Sequence, residues 1–230
     1  MSSQDDIFKN GEADQWFARN RGAMDRLSDS DHVLSHDIQL LSGWLQPARN
    51  DIHNILEIGC CNGQKLQALC RELDASGAGV DPSSQAVEDG NMRMQGVPAH
   101  LRCGTADALP FDSGRFDLVY FGFCLYLMDR RTLLQALSEA DRVLRSGGFL
   151  AITDFDPGVM HKRTYTHREG IFSYKQDYSK FFTESGLYYL VSKAAFSHRQ
   201  AFFDPVADER VSMVLLYKEI DAYPLRATAF

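Results

Sequence analysis

The run Ile55 to Gly63, ILEIGCCNG, constrains this chain more than any other stretch, because an apolar strand ending in an acid opens directly into a glycine turn. Asn54 to Ile58 fill with Ile and Leu as a buried parallel strand does. Gly59 and Gly63 bracket a tight bend, and the missing Cβ at each lets a ligand come close to the backbone. Beyond the bend, Leu66, Leu69, Cys70 and Leu73 fall at i, i+3, i+4 and i+7, so the next element is a helix with one apolar stripe. The N-terminus of that helix points back at the turn, an arrangement suited to a nucleotide-like ligand.

The spacing discriminates between such ligands. A dinucleotide fingerprint places its third glycine five residues after the first, to seat a pyrophosphate. Here Gly63 lies four residues after Gly59 and Cys61 stands between them, which fits a pyrophosphate poorly and disfavours an NAD(P)-dependent oxidoreductase. Two later segments, GVDPSS from Gly79 and GTADALPF from Gly104, place an acid at the tip of each of the next two strands. Asp81 comes 22 residues after Gly59, the distance at which a carboxylate meets ribose hydroxyls in nucleotide folds. Taken singly, either acid reads equally as a helix cap or a loop acid.

As an ordered set, these segments resemble the class I S-adenosylmethionine-dependent methyltransferases. EIGCCNG is similar to the family's first motif, (D/E)-x-G-x-G-x-G; Asp81 and Asp107 match its strand-end acids, and Gly147-Gly148 before Phe149 to Ile152 match its late G-G-x-L strand. The departure is Cys61 at the middle glycine, which implies crowding near the methionine moiety. The resemblance implies a Rossmann-like three-layer α/β sandwich: a mostly parallel seven-stranded sheet with an antiparallel last strand and an N-terminal helical cap. It also implies S-adenosyl-L-methionine as cofactor and S-adenosyl-L-homocysteine as product. Asp81, with Pro82 beside it, would hold the ribose. Asp107 would accept from the adenine amino group while the Ala106 or Ala108 amide meets the ring. Glu57 would hold the ligand's amino group, and Gly59, Cys61, Gly63 and Phe121 would border the rest. In similar enzymes a segment such as DQWFARNR folds over the cofactor as a lid, which would bring Arg19 to the methionine carboxylate; a solvated charge is the equal alternative.

With 230 residues, 44% of them hydrophobic, the chain suits one α/β domain, divided into a helical cap over 1–50, a cofactor-binding core over 51–155, and an acceptor-site insertion with C-terminal strands over 156–230. No apolar run reaches the roughly 18 residues of a membrane helix, and MSSQDDIFKN has neither a basic nor an apolar leader region, so a cytoplasmic protein without membrane contact is expected. The net charge of −7, without a basic stripe, argues against a nucleic-acid partner. Cys60, Cys61, Cys70, Cys103 and Cys124 show no C-x-x-C spacing and read as reduced packing residues, with no metal site. Nothing in the sequence sets the oligomeric state.

Periodicity predicts helices over 12–27 and 31–45, the second capped by Ser30 or Asp31, then helices over 83–94 and 130–144. Further strands are predicted over 77–80, 99–103, 115–120, 149–154, 188–197 and 211–218, with a helix over 175–184. The stretch PGVMHKRTYTHREGIFSY has no period. Ligands lie beyond the carboxyl ends of such strands, so FGFCLYLMDR after the fourth strand should face the reacting centre.

Methyl transfer is an in-line displacement in which alignment supplies much of the acceleration; a hydroxyl acceptor wants a base and a neutral amine needs none. Many family members place a His after strand 4, where this chain has Tyr126, a hydrogen-bonding group whose ordinary pKa makes it a poor base. His161 and His167 are the other catalytic candidates, with Tyr165 and Arg168 nearby. Tyr165, Phe172, Tyr174, Tyr178, Phe181 and Phe182 are candidates to line an acceptor pocket, with Arg163 or Arg168 opposite a phosphate or carboxylate. DQWFARNR also resembles small methylases of sugar and polysaccharide biosynthesis. The expected activity is therefore methyl transfer to an oxygen or nitrogen of a small metabolite, a sugar-like one included. A non-catalytic module that binds the same cofactor is the alternative.

Overall fold

The computed structural model describes residues 3–28, 34–94 and 96–225, with the side chains of 26–28 left out. A seven-stranded sheet is built from β1 (Asn54–Ile58), β2 (Ser76–Asp81), β3 (Ala99–Cys103), β4 (Phe116–Gly122), β5 (Leu144–Phe155), β8 (Tyr188–Ser197) and β9 (Arg210–Lys218). Its order is β3-β2-β1-β4-β5-β9-β8. The first five strands are parallel, and β9 runs antiparallel between β5 and β8. The last strand is thus the reversed one, as expected, but β8 forms the edge.

Side-chain alternation makes the layers. In β4, Leu118 and Tyr120 pack on one face with Ile38, Leu41 and Leu45 of α3 (His36–Leu45) and Leu66 and Leu69 of α4 (Gln64–Leu73). Val119 and Phe121 pack on the other, against Leu133, Leu137 and Ala140 of α6 (Leu133–Val143). Each of these helices presents the apolar stripe that its sequence predicts.

Four segments depart from the sequence reading. The N-terminus adds α1 (Gln4–Ile7) and a widened turn, Phe8–Glu12, before α2 (Ala13–Ser28); Gly11 permits that turn with φ of 139°. Helix α3 starts at His36 behind Ser35, and the expected cap at Ser30 or Asp31 lies outside the described residues. The aperiodic stretch folds as a hairpin of β6 (His161–Thr164) and β7 (Phe172–Lys175). Lys175 therefore ends a strand and does not begin a helix; only Lys180–Thr183, α7, is helical there.

The sheet's order turns between β1 and β4, so the strand ends part there and leave a crevice. Helix α5 (Ser84–Arg93) borders it, with Ser83 as N-cap accepting from the Ala86 amide at 3.0 Å. Helix α2 lies across it. Asp14 accepts from Ser83 Oγ at 2.6 Å and from the Gln85 amide at 3.1 Å, and Arg21 pairs with Asp89 at 2.8 Å. Farther toward the N-terminus, Gln4 donates to the carbonyls of Leu127 and Phe172 and accepts from the Phe172 amide.

Candidate functional site

A cavity of about 1040 Å³ fills the crevice, walled by the β1–α4 turn, the tips of β2 and β3, the loop after β4, helix α2 and the turn after β8. Of α2, it meets Ala13, Trp16, Asn20, Ala23 and Met24, which share one side of the helix.

At the turn, Gly59 (φ 75°) has no room for a side chain, since a Cβ there would sit 2.5 Å from Cys124 Cβ. Cys61 adopts a left-handed φ of 49°, a conformation that costs a non-glycine residue roughly 1–2 kcal/mol. Its amide donates to Asp81 Oδ2 at 2.8 Å, and the Ser83 amide donates to Oδ1 at 2.8 Å. Each Asp81 oxygen keeps a lone pair, so the carboxylate can accept two further hydrogen bonds side by side. Burial raises its pKa to about 6 against those two amides.

Glu57 is more confined. It is buried at the cavity wall, Oε2 has no partner among the described residues, and Gly122 makes room for it: a Cβ there would lie 2.5 Å from Oε1. Burial pushes its pKa up to about 8; Lys65 opposes the shift, and Asp37 and Asp81 add to it. An enclosed orphan acceptor is costly until a donor, best a cationic one, enters. Pro82, Ala106 and Asp107 also line this part of the cavity.

The far side is aromatic. Phe123, Tyr126, Phe155 and His198 form a cluster with ring centroids 5.0 to 5.6 Å apart. Asp154, at the end of β5, holds this corner by accepting the Tyr126 amide at 3.2 Å and the Phe155 amide at 2.7 Å. Burial, reinforced by Asp154, keeps the Tyr126 phenol above its ordinary range, so it stays protonated and can donate but not act as base. His198 is anchored by its amide on the Glu209 carbonyl at 2.8 Å. Partial burial lowers its pKa; Glu209 opposes this, and Lys175 and Arg199 assist, leaving a neutral imidazole near pH 7. His36, edge-on to Phe196 at 5.0 Å, also lines the cavity.

Several predicted site residues lie elsewhere. Gly63 is outside the lining; a Cβ there would sit 2.4 Å from Met94 Cε, so it is a packing glycine. Phe121 points by strand alternation into the α6 face and is fully buried. Ala108 is exposed, one residue past the lining. Arg19 turns from the cavity to Glu12 at 2.5 Å and the Tyr165 hydroxyl at 3.1 Å. His161 pairs with Asp208 at 2.6 Å, and His167 sits in the exposed hairpin turn against Tyr165. Arg163 also pairs with Asp208, and Arg168 is exposed beyond the lining. Of the candidate pocket aromatics none lines the cavity: Tyr178 and Phe182 are core, Phe181 is exposed, Tyr165 is buried against Phe8, and Phe172 and Tyr174 belong to β7. His198, which the sequence reading missed, follows a strand with no motif around it.

Comparison with known proteins agrees with this fold. Residues 55–148 match the methyltransferase domain family. A fatty-acid O-methyltransferase of Mycolicibacterium smegmatis is 31% identical over 132 residues, 57% of this chain and 47% of that protein. The 27-O-demethylrifamycin SV methyltransferase of Amycolatopsis mediterranei is 34% identical over 119 residues, 50% of this chain and 42% of its own length. The chain thus spans less than half the length of either relative. A Burkholderia thailandensis 1,6-didemethyltoxoflavin-N1-methyltransferase, solved with S-adenosylhomocysteine, shares the fold with a TM-score of 0.68 at 13% identity, covering 95% of this chain and 92% of that one.

Proposed function

Residues 55–148 are a class I S-adenosylmethionine-dependent methyltransferase domain, and on that premise we propose that the protein methylates a hydroxyl oxygen of a small, apolar, ring-bearing metabolite. The observation that carries this reading is one cavity with two chemically different ends, acids at the glycine turn and an aromatic box with a neutral histidine at the other.

The acids fit the cofactor. Asp81 takes the ribose diol with its two free lone pairs, Asp107 the adenine amino group beside the Ala106 amide, and Glu57 the amino acid ammonium. Arg19 lies outside the lining, whereas Lys65 on the first turn of α4 lines the cavity, held by Asp37 at 2.5 Å, and is the cation placed for the carboxylate. When bound, the cofactor supplies an electrophilic methyl on a positively charged sulfur. The chain's residues do the rest. Phe123 and Tyr126, backed by the buried Phe155, clamp the acceptor ring and exclude water, Tyr126 orients it by donating a hydrogen bond, and His198 removes the hydroxyl proton. The box favours a flat apolar acceptor over a sugar-like one. The names of the O-methyltransferase relatives support an oxygen target.

The test is calorimetry with S-adenosylhomocysteine, followed by a screen of phenols and hydroxylated ring compounds with methyl-labelled cofactor. Micromolar binding and label on oxygen are expected. Absence of binding would sink the reading, and label on nitrogen alone would remove the role of His198.

A further inference from the structure

Beyond His198, the cavity wall continues through Arg199, Gln200 and Ala201, and directly after them the chain holds large apolar side chains out into solvent. Phe202, Phe203 and Val206, together with Val159 and Met160 of the loop leading into β6, are between 45% and 77% exposed. The two loops adjoin, because one guanidinium reaches both. Arg210 donates from Nε to the Asp204 carbonyl at 2.8 Å and from Nη2 to the Pro205 carbonyl at 3.0 Å, and lies 4.9 Å over the Phe203 ring. Its Nη1 is 3.7 Å from where a Cβ on Gly158 would stand.

These side chains are not exposed because the loops are slack. Asp204 accepts from Ser197 Oγ at 2.7 Å and the Val206 amide at 2.9 Å, closing the loop on itself. Asp208 fastens it to the hairpin, pairing with His161 and Arg163 while its carbonyl accepts from Lys175 Nζ at 2.7 Å. Two adjoining loops, braced against each other, that keep five apolar side chains in water beside the cavity wall mark a binding surface.

We propose that this rim carries the apolar tail of an amphiphilic acceptor whose ring or polar head occupies the aromatic box, a substrate class that rests on the methyl-transfer reading above. Continuity with the cavity selects this occupant. A bilayer would have to meet a chain of net charge −7 at a rim whose cations Arg163 and Arg199 are matched by Asp208 and Glu209, which leaves no basic patch among the described residues to hold anionic headgroups.

The probes are 4-ethylphenol, 4-butylphenol and 4-octylphenol, titrated into the full chain with and without saturating S-adenosylhomocysteine. In the wild type, 4-octylphenol should bind about 30-fold tighter than 4-ethylphenol, the gain for six methylenes partly buried on an open rim. Phe202→Asp and Met160→Asp, both at exposed positions, should cut that ratio to about threefold or less while 4-ethylphenol and S-adenosylhomocysteine bind as before. A ratio that the two variants leave unchanged overturns the proposal. So does an unchanged ratio accompanied by lost flotation with phosphatidylcholine vesicles, or by conversion of a dimer to a monomer, which would assign the rim to a membrane or to a second copy. Failure of S-adenosylhomocysteine to bind would instead overturn the methyl-transfer reading; the tail-length ratio is read independently in its absence.

Discussion

Binding of S-adenosylhomocysteine at pH 7 should expel close to one proton, and Glu57 is its source. In the free protein this carboxyl is buried, its Oε2 has no partner among the described residues, and its pKa lies at about 8 against an ordinary 4.5. It is then about 0.9 protonated at pH 7. An ammonium placed against it favours the charged form; bringing the pKa down to about 6 leaves about 0.1 of a proton, for a release of about 0.8. Asp81, at about 6, starts mostly ionised and adds about 0.1. Calorimetric titrations in buffers of low and high ionisation enthalpy, phosphate and Tris, give the release as the slope of apparent heat against buffer heat. Glu57→Gln should reduce that slope to about 0.1. The same group sets a stability gradient. Its folded pKa is raised, so its contribution is fully present below pH 4.5 and is lost as pH rises through 8, by on the order of 4–5 kcal/mol once ionised. The ligand-free Glu57→Gln protein should therefore melt well above the wild type at pH 9, less so at pH 6, where roughly 2 kcal/mol is already lost, and close to it at pH 4. A wild-type slope near zero, or one that Glu57→Gln leaves intact, would refute the placement of the ammonium.

Three further outcomes follow from the site. Asp81→Asn keeps the shape of the β2 tip but replaces one acceptor oxygen by a donor, and should weaken S-adenosylhomocysteine by about 1–3 kcal/mol in calorimetry; unchanged affinity rules out the ribose role. Gly63→Ala should lower stability by about 1–3 kcal/mol in denaturant melts, through its φ of 73° and the 2.4 Å approach to Met94 Cε, while affinity at the surviving site stays near wild type. His198→Gln should lower kcat on a hydroxyl acceptor about 100-fold or more and abolish the acidic limb of its pH profile, with cofactor affinity unchanged. His161→Gln and His167→Gln should retain full rate, and a His161 variant as slow as His198→Gln would show the base is misassigned.

What the sequence makes legible is whatever repeats or recurs. β1 to β4 and helices α4 and α6 carry periods that survive packing, and Asp81 and Asp107 stand out because fixed spacing follows the glycine turn. The hairpin hides because HKRT and FSYK are four-residue strands with little burial contrast, too short to display alternation. Its histidines, attractive in isolation, serve Asp208 and the exposed turn, and only three-dimensional pairing reveals that. His198 reaches the cavity because β8 pairs with β9 at the sheet edge, a contact no local pattern encodes. Gly63 shows a subtler failure: the motif names the residue, yet its reason is the side chains of Met94 and Leu101.

The cover over the cavity also imposes an order on the chain's own maturation. Gln4 is hydrogen-bonded to Phe172, 168 residues later, and Asp14 to Ser83, 69 later. During synthesis the first of these segments emerges long before either partner exists, and must stay undocked until the hairpin is complete. The crevice between β1 and β4 can therefore assemble before the segment at Gln4 closes over it.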